Sequence, residues 1–292
     1  MAEQSNHTDG RTRTCGLIGN PVEHTMSPVI HNTLAANFGH NLVYVPFHVE
    51  KDLDKAVEGA YALNILGMNV TVPYKTDVIA SLLEVDELAS RIGAVNTLVR
   101  MEGGYKGYNT DMPGLYRAMK EDGILIENAD IVILGAGGVA RAVAVLAADK
   151  KASRIRILNR TVEKAEAVVQ EVKEYFPSVD VQAMPLSDYA KLDGKEWIAI
   201  QATSVGMFPK VDAAVIEEAG FYEKVKVGYD LIFNPSETKF MTLLKHAGKE
   251  AYNGLKMLLY QGIIAYELWN ECEVTKEQAA VVYEKMKKEM GC

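Results

Sequence analysis

The chain has 292 residues, 48% of them hydrophobic and 24% charged, a composition that suits a globular protein of two domains and excludes wholesale disorder. Its formal net charge of −8 excludes a broad nucleic-acid or anionic-membrane surface, while leaving room for a local basic pocket that takes a small anion. Three scattered cysteines, Cys15, Cys272 and Cys292, lack any C-x-x-C spacing, which excludes a disulfide framework and points to a reducing compartment.

Residues 1–13 carry no apolar run of the kind a secretory signal needs and read as a frayed tail. Residues 13–19 (RTCGLIG) read as a strand, and residues 27–39 as a helix with Ser27 as N-cap, Pro28 in its first turn and Gly39 closing it. A second strand over 42–49 and a second helix over 53–64 follow, then a strand over 67–72 and helical 76–84. Residues 96–110 read as a hairpin turning at Glu102, Gly103 and Gly104. Strands alternating with helices predict a mostly parallel sheet, to which the hairpin adds antiparallel character.

A second series begins near Pro113. After a linking helix, residues 129–138 form an apolar strand entering a glycine-rich turn, and residues 139–149 its helix. The run from Ile131 to Ala148 approaches the length of a membrane span, but its glycines and Arg141 interrupt it, so a cytoplasmic protein without a membrane segment is expected. Strands at 154–159, 180–186, 197–207 and 225–235, with a long amphipathic helix at 161–176, complete the rhythm of a doubly wound dinucleotide-binding domain. Beyond Gly254, residues 255–270 and 275–290 read as two helices with no strand after them.

Gly135, Gly137 and Ala140 satisfy G-x-G-x-x-[G/A] between that strand and its helix, with Ala136, Gly138 and Val139 between and beside them. The glycines permit a tight turn and close approach of backbone to a pyrophosphate, whose charge the helix N-terminus favours. The competing reading is a plain glycine-rich turn. Asn159 falls 24 residues after Gly135, near the spacing of about 20 at which an NAD enzyme places an acidic residue on the ribose. Here Asn159, Arg160 and Thr161 stand there, with Lys164 one turn on. Arg160 suits a 2′-phosphate, Thr161 a phosphate oxygen and the helix cap, so NADP is expected over NAD. Without a cofactor, Arg160 would be a solvated charge at a helix start, and Glu163 blurs the preference.

Polar residues gather at predicted strand ends of the first half: Thr25, Ser27, Asn69, Thr71, Lys75, Asn96 and Asp111. Hydroxyls, amides, one ammonium and one carboxylate suit a polyhydroxylated small molecule. Taken alone, Lys75 in NVTVPYK is a solvated residue past a strand that Pro73 has ended. The six histidines show no ligand spacing, so no metal is expected, and His24 and His31 read as loop and helix-surface residues.

In order, the stretches GLIGNPVEHTMSPVIHN, NVTVPYK, GAVNTL, GYNTD, GAGGVARA, NRT, YDLIFNP and YQG give the chain a resemblance to the shikimate dehydrogenases over nearly its whole length. The resemblance implies reversible, NADP-dependent reduction of 3-dehydroshikimate to shikimate, a step toward chorismate and the aromatic amino acids. It implies a substrate domain at 1–112, a Rossmann domain at 113–253, and helices at 254–292 returning to the substrate domain. It places the catalytic lysine on Lys75 and its partner on Asp111. Substrate contacts fall on Thr25, Ser27, Thr71, Asn96, Tyr229 and Gln261, and a cofactor contact on Gly254.

Two departures from the family pattern stand out. Thr25 replaces the first serine of Ser-x-Ser, and Gln201 the asparagine of Asn-Ala-Thr-Ser. The implied partner is a small-molecule substrate, with no nucleic acid and no membrane, on a monomer or homodimer. The alternatives are a quinate/shikimate dehydrogenase using NAD or both cofactors, and a non-catalytic sensor of the same ligand.

Overall fold

The computed structural model describes residues 8–291. Of the tail expected over 1–13, residues 1–7 lie outside the described residues, and the rest is corrected. The Thr12 hydroxyl donates to Asn41 Oδ1 at 2.7 Å, Asn41 Nδ2 donates to Asp9 Oδ1 at 2.9 Å, and Arg13 already begins a strand. No helix among the described residues is long and apolar enough to cross a membrane.

The elements run β1 (Arg13–Gly19), α1 (Ser27–Phe38), β2 (Leu42–His48), α2 (Leu53–Ala62), β3 (Gly67–Val70), β4 (Glu84–Val85), α3 (Glu87–Ile92), β5 (Thr97–Met101), β6 (Gly104–Tyr108) and α4 (Asp111–Glu121). They continue β7 (Asp130–Leu134), α5 (Gly138–Asp149), β8 (Arg154–Asn159), α6 (Val162–Tyr175), β9 (Val181–Pro185), β10 (Trp197–Gln201), α7 (Ala219–Tyr222), β11 (Val225–Asp230), α8 (Lys239–His246), β12 (Glu250–Tyr252), α9 (Leu255–Asn270) and α10 (Lys276–Met290). Two compact units result. One comprises residues 1–114 with 258–292, the other residues 115–257, and the chain passes between them inside α4 and inside α9.

The first unit holds a six-stranded sheet in the order β2-β1-β3-β5-β6-β4. β1 pairs in parallel with β2 and β3, while β5 is antiparallel to β3 and β6. This pattern fixes the chemistry's location. The carboxyl ends of β1, β3 and β6 and the amino end of β5 all lie at one end of the sheet, and Leu17, Asn69, Thr97 and Tyr108 form one register row across it. Its core gathers Ile18, Met68, Val70, Leu98 and Tyr105.

The second unit holds an all-parallel sheet ordered β12-β11-β10-β7-β8-β9. Numbered within the unit this is 3-2-1-4-5-6, the doubly wound dinucleotide-binding order, whose switch point lies between β7 and β10. The central strands are buried almost throughout, β10 from Trp197 to Gln201 without a break, as expected where helices cover both faces.

Several elements end sooner than their sequence pattern suggests, each for a tertiary reason. The helix expected over 76–84 is a short 3-10 turn at Asp77–Ser81. The Leu83 and Asp86 amides donate instead to Tyr105 and Gly107 carbonyls, at 3.0 and 2.8 Å, drawing β4 to the sheet edge. β10 stops at Gln201 because its side chain captures the following loop: Oε1 accepts from the Thr203 amide at 2.6 Å, and Nε2 donates to the Val205 carbonyl at 3.1 Å. β11 stops at Asp230, whose Oδ1 accepts from the Ile232 amide at 2.9 Å and whose Oδ2 accepts from the Thr238 hydroxyl at 2.6 Å. Thr238 in turn caps α8, an element absent from the sequence reading.

Burial pushes the Asp230 carboxyl up to about 6 against these hydrogen bonds. Between its ordinary range and that value the folded chain holds a proton that the unfolded chain has released. Asp230's contribution to stability is therefore full at the acid end and is lost as pH rises through about 6. Urea unfolding at about pH 4.5 and pH 7 should show this slope in the wild type and a flatter one in Asp230→Asn.

Candidate active site

Lys75 is delivered by the turn after β3. The Tyr74 amide donates to the Thr71 carbonyl at 2.9 Å, and the Lys75 carbonyl accepts from the Val95 amide at 2.7 Å, so the backbone on either side of Pro73 is pinned. Asp111 opens α4 after β6, where Asn109 Oδ1 accepts from the Met112 amide at 3.3 Å. The two side chains meet with Lys75 Nζ donating to Asp111 Oδ2 at 2.6 Å, and they are 33% and 19% exposed. A half-buried ammonium held by one carboxylate, open on its remaining sides, can donate to a third group.

Asn96 precedes β5 and is 3% exposed. Its Oδ1 accepts from the Thr110 amide at 2.7 Å, one residue before Asp111. Its Nδ2 has no protein partner among the described residues and is available to a ligand. Thr25 and Ser27 follow β1, with the Ser27 amide donating to Thr25 Oγ1 at 3.2 Å. The N-cap of α1 is Met26, not Ser27 as its sequence suggests; Ser27 is already helical and is a buried residue, 7% exposed. Thr71 lies at the end of β3, its methyl against Gly19. Gln261 of α9 backs onto the first turn of α4, where a Cβ on Gly114 would lie 2.6 Å from the Gln261 amide nitrogen. The sheet topology thus assembles Thr25, Ser27, Thr71, Lys75, Asn96 and Asp111 at one sheet end, with Gln261 behind Asp111.

Tyr229 is not placed as its sequence position suggests. It is fully buried in β11 and its ring stacks against Tyr252 at 6.4 Å, so it presents no surface to a ligand. In β11 the residues from Val227 to Asp230 are all buried, so its strand-end position says nothing about access. His31 is likewise not a helix-surface residue: it is fully buried, stacked on Tyr44 at 4.2 Å and beside Trp269 at 4.9 Å.

In the second unit, Gly135 has φ +114, and a Cβ there would meet the Thr203 methyl at 2.7 Å and the Ala202 carbonyl oxygen at 3.1 Å. Glycine is required both by that backbone conformation and by the loop after β10. Beyond it the turn opens. Gly137, Gly138 and Val139 are exposed, and a Cβ on either glycine would touch nothing within 4 Å. α5 starts at Gly138 with Gly137 as N-cap and no side chain bonded to its first amides, while Ala140 is fully buried against the fold. Open glycines before uncapped amides are the donor set a diphosphate needs.

Arg160, Thr161 and Lys164 are exposed at the start of α6, and neither cation pairs with a carboxylate among the described residues. Asn159 Nδ2 donates to the Thr161 carbonyl at 2.8 Å. Thr161 occupies the N-cap position, but its hydroxyl makes no capping bond, so the cap expected of it is corrected. Gly254 is tightly enclosed: a Cβ would fall 2.2 Å from the Leu231 carbonyl oxygen. Backbone cannot yield to that contact, and Gly254→Ala should lose about 3 kcal/mol of stability, measurable as a lower urea midpoint. Among the described residues no group of three or more His, Cys, Asp or Glu could hold a metal ion.

Tyr44, Thr97 and Thr110, which the sequence reading left without a role, also reach this site, connected with Asn69 to Asn96 by buried hydrogen bonds. The only hint in the sequence was an asparagine inside an apolar strand.

Two family profiles match. The shikimate dehydrogenase substrate binding domain covers residues 17–98, and shikimate / quinate 5-dehydrogenase covers residues 118–219. The chain is 42% identical over 267 residues to the shikimate dehydrogenase (NADP(+)) of Methanocaldococcus jannaschii, spanning 91% of this chain and 94% of that one. Among solved structures, a shikimate dehydrogenase in complex with NADP+ is similar with a TM-score of 0.87 at 38% identity, covering 99% of both chains. The Listeria monocytogenes shikimate 5-dehydrogenase, in complex with shikimate and NAD, has the same TM-score at 30% identity, again over 99% of each chain. With its sheet orders, its glycine turn and its ordered motifs, the chain belongs to the shikimate dehydrogenase family.

Proposed function

We propose that the protein is an NADP-dependent shikimate dehydrogenase that interconverts 3-dehydroshikimate and shikimate. The observation that carries this reading is the Lys75–Asp111 pair, 2.6 Å apart, at the sheet end that also holds Thr25, Ser27, Thr71 and Asn96. NADPH supplies the hydride when bound. Gly135, Ala136, Gly137, Gly138 and Val139 present backbone amides to its diphosphate, and Arg160, with Thr161 and Lys164, meets its 2′-phosphate.

On the substrate, Thr25 and Ser27 offer hydroxyls to the carboxylate, and Thr71, Asn96 and Gln261 hold the ring hydroxyls. The Lys75 ammonium stabilises the negative charge that grows on the carbonyl oxygen during reduction and gives it a proton. Asp111 holds the ammonium in place through a charge-assisted hydrogen bond. In the oxidation direction the pair receives the alcohol proton.

The free thiols of Cys15 and Cys272 support a cytoplasmic site of action, and the acidic balance speaks against a nucleic-acid partner. The assembly is read as a monomer or homodimer.

The test is NADPH oxidation on adding 3-dehydroshikimate, run beside NADH and beside quinate with NADP+. Turnover with NADPH and 3-dehydroshikimate at least tenfold above the other pairs is expected. Equal use of NADH or quinate would move the reading to a quinate/shikimate dehydrogenase, and no turnover at all would leave a ligand sensor.

A further inference from the structure

Beneath the candidate substrate site runs a chain of buried polar groups that the mechanism does not use. Its hub is Asn69, 4% exposed. The Asn96 backbone carbonyl can only accept, so the edge of Asn69 facing it at 3.3 Å is Nδ2, which also donates to Thr97 Oγ1 at 3.1 Å. Asn69 Oδ1 therefore faces the other way and accepts from Tyr44 OH at 2.8 Å and from His31 Nε2 at 3.1 Å. All four hydrogen-bonding positions of this amide are filled, which fixes its orientation.

From there the chain reaches the site through Thr97, whose Oγ1 donates to Asn96 Oδ1 at 3.1 Å; the same Asn96 oxygen accepts from the Thr110 amide beside Asp111. Tyr44 is 1% exposed and its ring lies flat on His31, with 13° between the planes. Neither ring titrates near neutrality, since burial holds the His31 ring down to about 3 and the Tyr44 phenol well above its ordinary value.

We propose that Tyr44, acting through Asn69 and Thr97, is a positioning residue that holds Asn96 before β5 in register for a polyhydroxylated substrate. The proposal rests on the reading of Asn96 as a substrate contact. It explains why a phenol, an imidazole and a carboxamide occupy a core position that aliphatic side chains could fill with fewer constraints.

Tyr44→Phe keeps the ring over His31 and removes only the hydroxyl. KM for 3-dehydroshikimate should rise about fivefold while kcat stays within about twofold, and NADPH binding followed by cofactor fluorescence should not change. Asn96→Ala should raise KM by itself, and the Tyr44→Phe/Asn96→Ala double variant should be no worse than Asn96→Ala, because Tyr44 acts through that side chain. Thr97→Val paired with Asn96→Ala repeats the cycle one bond nearer the site, in case Tyr44→Phe folds poorly.

Additive effects in these cycles would overturn the proposal, as would an unchanged KM in Tyr44→Phe beside a defective Asn96→Ala. An unchanged KM in Asn96→Ala would remove that residue from the substrate site and take the proposal with it. If that happened while Lys75 variants remained inactive, the proposed activity itself would stand.

Discussion

Lys75→Ala should lower kcat about a thousandfold while KM for 3-dehydroshikimate changes by only a few fold, measured by NADPH oxidation under saturating cofactor. On the proposed reading the ammonium is one of several contacts to the ground state but the group that neutralises the charge growing on the carbonyl oxygen. Its loss therefore falls on the transition state. Asp111→Asn should give a smaller defect, since the amide oxygen still accepts from the ammonium but no longer as a carboxylate, which weakens the hold on it. A Lys75→Ala enzyme within about tenfold of wild-type turnover would remove the lysine from the mechanism. Folding is not at stake in this variant: the backbone there is held by the Val95 and Thr71 bonds, and the side chain is one-third exposed.

The second large effect concerns the cofactor. Arg160→Ala should raise KM for NADPH about thirtyfold and leave KM for NADH nearly unchanged, because a charge-assisted pair with the 2′-phosphate is lost and NADH has no such group. Arg160 is exposed and pairs with no carboxylate among the described residues, so the substitution should leave the unfolding midpoint in place. Equal losses with both cofactors would mean that the arginine acts on something common to them, such as the adenine ring.

Most of this architecture was legible in residue patterns. The glycine turn, the Arg160 position and the βαβ rhythm are local signals, and α9 runs over the same residues, 255–270, that its apolar pattern marks. Lys75 and Asp111 were legible as residue types at strand ends, but their contact needed β6 antiparallel to β5 and β5 antiparallel to β3. What stayed hidden depends on partners distant in sequence. Asn69 and His31 are 38 positions apart, and Trp269 donates to the Leu98 carbonyl at 2.9 Å across 171. A polar side chain buried by such partners looks, in sequence, like a surface residue, which is how His31 misled. Tyr229 is the opposite case, because its motif suggested access and the side chain is fully buried.

The division of the first unit into residues 1–114 and 258–292 has a consequence for biosynthesis. The second unit is continuous and can complete its core as soon as its last strand has left the ribosome. The first cannot. A Cβ on Gly67 would fall 2.1 Å from Trp269 Nε1, and Tyr266 and Trp269 complete the ring cluster around His31. Until that late segment is translated, the groove that receives it stands open on a nascent chain, with apolar surface waiting for its cover. The unit begun first is thus completed only after residues 258–292 have followed the second unit, and its candidate site cannot become competent before they do.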